Sequence, residues 1–317
     1  MRHENLALHR FALFLACCTA FLIFVGGLVT STESGLAVPD WPTTYGWNMF
    51  TFPYSMWVGG IFYEHGHRYV ASIVGFFTVV LTVWMWMREK RAWVRWLSTA
   101  ALAAVIIQGL LGGLTVRLLL PTWVSTLHAC LAQTYFCTVI ALAVFTSPEW
   151  KHGLPLVKAR TQSVPLQTLC IMTTAAVYLQ LILGALMRHM DAGLAIPDFP
   201  LAMGQIIPPF TSGKIVVHFA HRVGAVIVAS MIIWSFSTIA RSYRHERLLF
   251  RPALAMLVLV IVQIALGATA IWTAKAVYPT TAHVLNGALV LGTSFLLTLR
   301  ACAMVVMDIS REYRSAV

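Results

Sequence analysis

Four histidines recur in two matched pairs along this 317-residue chain. His67 in "YEHGHRYVAS" matches His221 in "VHFAHRVGAV", and His128 in "TLHA" matches His283 in "TAHV". Each pair draws one imidazole from each of two apolar segments. Two opposed imidazoles in an apolar helical bundle suit haem iron, which takes two axial ligands and needs a flat apolar slot. Zinc is a poorer fit, because it wants three or four ligands in a tetrahedron. The small residues Gly109, Gly112 and Gly113 in one half, and Gly267 and Ala268 in the other, would leave room for a macrocycle.

Three residues before the first histidine of each pair, the halves differ. One has Glu64 and the other has His218. The i, i+3 spacing puts Glu64 on the His67 face of a helix, about one turn nearer the helix end. A carboxylate there could exchange a proton at the edge of whatever His67 binds. It could equally be an interfacial group paired with Arg68 or with a loop residue. Arg68 and Arg222 directly follow the matched histidines, and each could pair with a haem propionate or snorkel to the interface. His65 points off the His67 face, and His189 falls in a loop without a matched partner. His218 is a candidate near the second pocket.

The elements that must position these side chains are membrane helices. The chain is 59% hydrophobic and 10% charged, against roughly 45–50% apolar and about 25% charged for soluble domains. Eight stretches reach the roughly 20 apolar residues a spanning helix needs: 11–30, 67–87, 97–116, 124–146, 168–187, 215–239, 252–273 and 282–305. The ten-residue alternation of a membrane β-barrel is absent from these runs. With an even number of spans, the two termini share a side. That side holds 16 of the 22 Lys and Arg residues, including Arg311 and Arg314. The positive-inside rule makes it cytoplasmic, with the histidines toward the outer face. The net charge of +11 therefore reads as topology and contact with anionic lipid, not as a nucleic-acid footprint. The N-terminal run, with "LACC" at 15–18, has the look of a signal peptide, but it continues into the repeat and is expected to be retained. The six cysteines all fall in predicted spans and suggest no metal motif or disulfide.

The chain reads as a duplication. "GGLVTSTESGLAVPDWPTTYG" (26–46) aligns with "GALMRHMDAGLAIPDFPLAMG" (184–204), and "QGLLGGLTV" (108–116) with "QIALGATAI" (263–271). The polar landmarks keep a near-constant separation, which chance similarity of apolar helices would not maintain. The expected fold is all-α and integral to the membrane: two tandem, parallel-repeat four-helix bundles. The first covers residues 1–150, the second 167–317, and a cytoplasmic linker 151–166 joins them. The loops 31–62 and 188–213 are expected to be ordered lids.

These motifs resemble heme A synthase, a membrane enzyme of cytochrome oxidase maturation. E-x-x-H-R in the first half, H-x-x-H-R in the second, the two later histidines and the loop starts "TESGL" and "DAGL" carry the resemblance over nearly the whole chain. It implies oxidation of the C8 methyl of haem o to a formyl group, giving haem a, by successive hydroxylations with loss of water. It implies that the substrate haem lies in the first half with Glu64, His67, Arg68 and His128. It also implies a haem b cofactor held by His221 and His283, with His218 and Arg222 close by. Partners implied are the farnesyltransferase that supplies haem o and a membrane electron donor such as quinol; a homo-oligomer is also open. Many bacterial members carry a cysteine pair in the outer loops, and "GLAVPDWPTTYG" and its partner carry none, so the chain resembles the cysteine-free branch. Without a transit peptide, a bacterial inner membrane is the expected location. Two readings compete. A di-haem electron-transfer cytochrome needs the four histidines but not Glu64, and a transporter with parallel repeats needs no haem.

Overall fold

The structure, a computed structural model, describes residues 2–160 and 162–306. Arg311 and Arg314, counted above for topology, lie outside the described residues. Among the described residues eight helices are long and apolar enough to cross a membrane, and the protein is an all-α membrane protein. The helices are α1 (Arg2–Ser31), α2 (Gly60–Arg88), α3 (Ala92–Arg117), α4 (Thr122–Thr146), the short α5 (Pro148–His152), α6 (Leu166–His189), α7 (Gly213–Ser242), α8 (Arg247–Trp272) and α9 (Val277–Met304). A helix satisfies its own backbone groups, which lipid cannot do. Threonines inside these helices turn their hydroxyls back to the i−4 carbonyl, as Thr19, Thr78, Thr82, Thr146 and Thr173 do.

Packing neighbours repeat in the same cyclic order. In the first set α1 packs on α2, α2 on α3, α3 on α4 and α4 on α1. In the second, α6, α7, α8 and α9 close the same cycle. The two sets meet mainly through α1 with α9, α4 with α6 and α4 with α9. Each set has a buried apolar cluster, and both clusters sit toward the end that carries the linker. In the first set it is built from Leu8, Leu15, Leu81, Met85, Val94 and Leu142. In the second it is built from Leu166, Ile232, Ile239, Leu249, Met256 and Leu297. The histidine pairs lie beyond these clusters, toward the end that carries the two long loops.

Helix α2 starts at Gly60, seven residues before the boundary read from hydropathy. Glu64 and His65 lower the hydropathy of the segment, yet both are buried beneath the loop rather than exposed. Polar residues here mark a covered helix start, not a helix end. The N-cap Gly59 has φ 54° and ψ −130°, a conformation closed to other residues. A Cβ on Gly60 would lie 2.9 Å from the Ala37 side chain. Helix α8 likewise starts at Arg247 although Pro252 lies inside it. The proline leaves the Leu248 carbonyl without its helical donor, and Arg300 Nη1 donates to it at 3.1 Å.

At the linker end Val157–Lys158 (β1) pairs in parallel with Val305–Val306 (β2). The Arg160 N–H donates to the Tyr243 hydroxyl at 3.0 Å. Glu89, just after α2, accepts from Arg91 at 2.9 Å and pairs with Lys151 at 3.2 Å. Burial pushes the Glu89 carboxyl up, but these cations more than offset that and hold it at about 2. All six cysteines are free thiols.

Candidate functional site

The four matched histidines each stand about two turns in from the loop end of α2, α4, α7 and α9. In each cycle they come from the diagonally opposite helices, and in the first set the Thr78 and Tyr135 hydroxyls join that diagonal deeper in the bundle. His67 lies within electrostatic reach of His128, and His221 of His283. Among the described residues no group of three or more His, Cys, Asp or Glu side chains gathers as a metal-ligand set, so each pair stands as a two-ligand arrangement.

Every one of the four imidazoles rests on a glycine of the neighbouring helix. A Cβ on Gly26 would meet His67 Cε1 at 3.0 Å, and one on Gly184 would meet His221 Cε1 at 3.0 Å. A Cβ on Gly112 would meet His128 Cε1 at 3.2 Å, and one on Gly267 would meet His283 Cε1 at 3.1 Å. The sequence pointed to Gly112 and Gly267 as room for a ligand. In the structure they are the floors on which imidazoles lie, and Gly109 has nothing near it. Gly26 and Gly184 were missed as floors, although their repetition in the alignment was the available signal.

The ring nitrogens are held unequally. The Nδ1 atoms of His67 and His128 are buried without a hydrogen-bond partner. His221 Nδ1 receives a bond from Gln180 Nε2 at 3.1 Å, and the same amide donates to the His221 carbonyl at 2.7 Å. Gln108 and Gln263 use one amide the same way: each donates to the carbonyl of His128 or His283, at 3.0 and 3.1 Å, and to that histidine's Nε2 at 3.2 Å. These three glutamines orient the imidazoles and were not singled out in the sequence. Two shallow hollows, beside Phe11 and Trp84 and beside Arg160 and Arg244, lie away from the histidines.

Arg68 and Arg222 take a role the sequence did not give them. Their guanidiniums clamp the loops. Arg68 donates to the carbonyls of Val38, Asp40 and Thr43 at 3.0, 2.7 and 3.1 Å. Arg222 donates to those of Ile196, Asp198 and Leu201 at 3.0, 2.6 and 2.7 Å. These are the same three places in the two aligned loops. The Nη atoms expected to meet propionates are therefore engaged by backbone.

Glu64 and His218 serve the same clamp. Glu64 Oε2 accepts from the Val38 N–H at 2.7 Å, and Oε1 accepts from Arg68 at 2.7 Å. His218 Nδ1 lies 3.3 Å from the Ile196 N–H and 3.0 Å from the Ala192 carbonyl; its tautomer decides which bond forms. Val38 and Ile196 are again matched positions. Of the readings left open for Glu64, pairing with both Arg68 and a loop residue is present in the structure.

Below each clamp the loop is built alike. Asp40 accepts from the N–H groups of Tyr45 and Gly46, and Asp198 from those of Met203 and Gly204. The Gly204 and Met203 bonds keep the Asp198 carboxyl below its ordinary range. The Trp41–Pro42 and Phe199–Pro200 peptides are both cis. The aromatic before each proline meets the third helix of its set. A Cβ on Gly113 would collide with the Trp41 ring. The second set has the smaller Phe199, Ala268 in place of Gly113, and Trp272 edge-on to Phe199 at 6.1 Å.

Two further histidines are placed differently from the reading of the sequence. His65 is fully buried, with Nδ1 3.0 Å from the Thr44 hydroxyl and its ring 4.5 Å from Trp57. Its match, Phe219, packs on the apolar Ile196, Ala202 and Ile215, and that apolar counterpart was the signal for a buried site. His189 is the last residue of α6 rather than a loop residue, and its carbonyl accepts from Thr122 at 3.0 Å.

Known proteins share this pattern over most of the chain. The family described as cytochrome oxidase assembly protein matches residues 9–295. A heme A synthase of Halalkalibacterium halodurans is 30% identical over 271 residues, 83% of this chain and 87% of that protein. One from Alkalihalophilus pseudofirmus is 30% identical over 262 residues, 80% and 84% of the two chains. One from Symbiobacterium thermophilum is 31% identical over 248 residues, 77% and 78% of the two chains. The chain thus belongs to the heme A synthase family of cytochrome oxidase assembly membrane proteins.

Proposed function

We propose that the protein is a heme A synthase, an oxidoreductase that converts haem o to haem a by oxidising its C8 methyl to a formyl group. The observation that carries this reading is the pair of matched two-histidine sites, alike in their glycine floors and unlike in Glu64 and His218. The donor chemistry suits haem: two imidazoles on opposed helices, buried unpartnered Nδ1 atoms in the first site, and floors that a single methyl would fill. His221 and His283 would hold haem b, which supplies electron transfer. His67 and His128 would receive the substrate haem o. Ligation through Nε2 of His128 or His283 requires the Gln108 or Gln263 amide to yield that bond while keeping the one to the histidine carbonyl.

Glu64 is the proposed proton-handling group of the first site. Each oxygen accepts one bond and keeps a second lone pair, through which the carboxylate would exchange a proton. Arg68 would then hold the remaining charge in place. The clamps and the aromatic-proline loops would exclude water above both sites. In the membrane, both termini and the basic linker end would face the cytoplasm of a bacterial cell, with the sites near the outer face. The upstream partner would be the farnesyltransferase that makes haem o, and a membrane electron donor such as quinol would feed the second site.

The test is coexpression with a haem o-producing system, followed by chromatography of the extracted haems. Haem a should appear with the wild type and vanish with Glu64→Gln, His67→Ala and His128→Ala. Protein that only ever carries haem b would instead support a di-haem electron-transfer cytochrome, and a colourless preparation would support a transporter. Full conversion by Glu64→Gln would remove the proton-transfer role.

A further inference from the structure

Helix α6 carries a cation that nothing so far uses. Arg188 lies one turn beyond Gly184, the glycine under His221, and the i, i+4 spacing puts both on one face of α6. The guanidinium is thus at the loop-end rim of the second site. It lies within electrostatic reach of His283 as well. Only its Nη2 is engaged by protein, donating to the Gly27 carbonyl at 3.1 Å and the Ser31 hydroxyl at 2.9 Å. Ser31 is fixed in turn by Thr281, two residues before His283, whose hydroxyl donates to it at 3.0 Å.

Among the described residues Arg188 has no carboxylate partner, and its Nε and Nη1 groups have no hydrogen-bond acceptor. The nearby Asp191 is taken by Lys275 at 2.8 Å. A part-buried guanidinium in an apolar bundle favours an anion on its open side, and its planar fork suits a carboxylate or phosphate. Arg68 spends both Nη atoms on its loop and Glu64, and Arg222 spends its Nη atoms on its loop, keeping only a buried unpartnered Nε. In the first site the matched residue is Thr30, whose hydroxyl turns back to the Gly26 carbonyl at 3.1 Å. Of these two matched positions only the second set's carries a cation, and its Nη2 rests on α1 of the first set.

We infer that Arg188 is the carboxylate-binding residue of the second site, holding a haem propionate there, while the first site lacks this grip. The inference rests on the haem reading above. It separates a site built to retain its macrocycle from one built to exchange it. A lipid phosphate could offer the same anionic chemistry, but Arg188 sits on the face that floors His221, which favours the macrocycle's carboxylate.

The experiment titrates full-length protein carrying His67→Ala and His128→Ala, in nanodiscs, with haem b and with its dimethyl ester. The ester has the same ring and iron but no free carboxylate. With Arg188 intact, haem b should bind about tenfold tighter than the ester, the scale of one charge-assisted contact. Arg188→Gln should bring haem b to the ester's affinity and leave the ester unchanged. Arg188→Lys, which keeps charge without the fork, should restore part of the preference. Several results would overturn the inference: equal binding with Arg188 intact, full discrimination by Arg188→Gln, or a Lys variant that loses both porphyrins equally. So would a substitution effect seen only as altered dependence on phosphatidylglycerol in the nanodisc, which would assign the anion to lipid. Failure of both porphyrins to bind with Arg188 intact would overturn the haem reading, and this inference with it.

Discussion

The two four-helix sets use one plan with different side chains, and the differences cluster at the loop end. Both have histidines on diagonal helices, a glycine under each ring, and an arginine clamping three loop carbonyls. The first set adds acidic and polar groups beneath its loop: Glu64 on Val38 and Arg68, and His65 on Thr44. The second has His218, Phe219 and Ala202 in those places, with Gln180 on His221 and Arg188 at the rim. The polarity of the first set lies in how its loop is held. That of the second lies in how its imidazole and rim are held. Two four-helix sets with the same packing cycle thus differ in what tethers the loop and in what holds the imidazole, without a change in helix order.

The largest expected effect tests whether the sites are functionally distinct at all. His221→Ala or His283→Ala should abolish the bis-imidazole haem spectrum of the purified protein. His67→Ala or His128→Ala should leave that spectrum and eliminate haem o conversion. If all four substitutions gave the same spectrum and the same activity loss, the division of labour would fail.

Next in size are the tethers. Glu64→Ala would leave Arg68 without its carboxylate, in a pair whose side chains are only 10% and 4% exposed. A broken buried pair costs on the order of 3–5 kcal/mol. His218→Ala removes a neutral hydrogen-bonding group and should cost about 1–3 kcal/mol. Thermal unfolding in detergent, with limited proteolysis of the loops, measures both; equal losses would erase this part of the contrast.

A third test exchanges the loop aromatics. Gly113→Ala drives a methyl into the Trp41 ring and should destabilise by about 1–3 kcal/mol. Adding Trp41→Phe reproduces the pair found in the second set and should recover most of that loss. A double-mutant cycle showing no coupling would mean the two contacts are not equivalent.

The smallest effect concerns Glu89, whose partners Arg91 and Lys151 are 28% and 18% exposed and partly screened by solvent. Its carboxyl is held at about 2 in the folded protein, below its ordinary value near 4.3. The unfolded chain binds the proton first, so the stabilisation is complete above the ordinary value and is lost as pH falls toward 2. Glu89→Gln should lower stability at pH 7 and flatten acid unfolding across that window, with the two proteins converging as pH falls toward 2. The matched C-cap is Tyr243, and Tyr243→Phe should leave the acid profile unchanged.

Much of the fold was legible because membrane insertion writes itself into composition. Runs of Leu, Val and Ile located the helices, and His67, His128, His221 and His283 stood out as imidazoles where lipid discourages them. Helix starts were less legible, since Glu64 and His65 look like the end of a span until the loop that covers them is in place. The tasks of Arg68 and Arg222 were hidden for a different reason: their partners are backbone carbonyls, which every residue possesses. Glycine floors leave a trace only when aligned, and Arg188 looked like an ordinary basic residue flanking a span. The cysteine-free loops were plain from sequence, and Asp40, Asp198 and the arginine clamps hold them in order.

The parallel pairing of β1 with β2 has a consequence for synthesis. Val157–Lys158 leaves the ribosome before any of the second set, while Val305–Val306 follows the whole of α9. The connector therefore emerges with its backbone partners still unmade, and no earlier segment supplies them. A chain stalled before α9 is complete would expose that strand at the linker end, where quality-control proteases could read it. Completion of the last helix is thus also the step that pairs the backbone of the connection between the two sets.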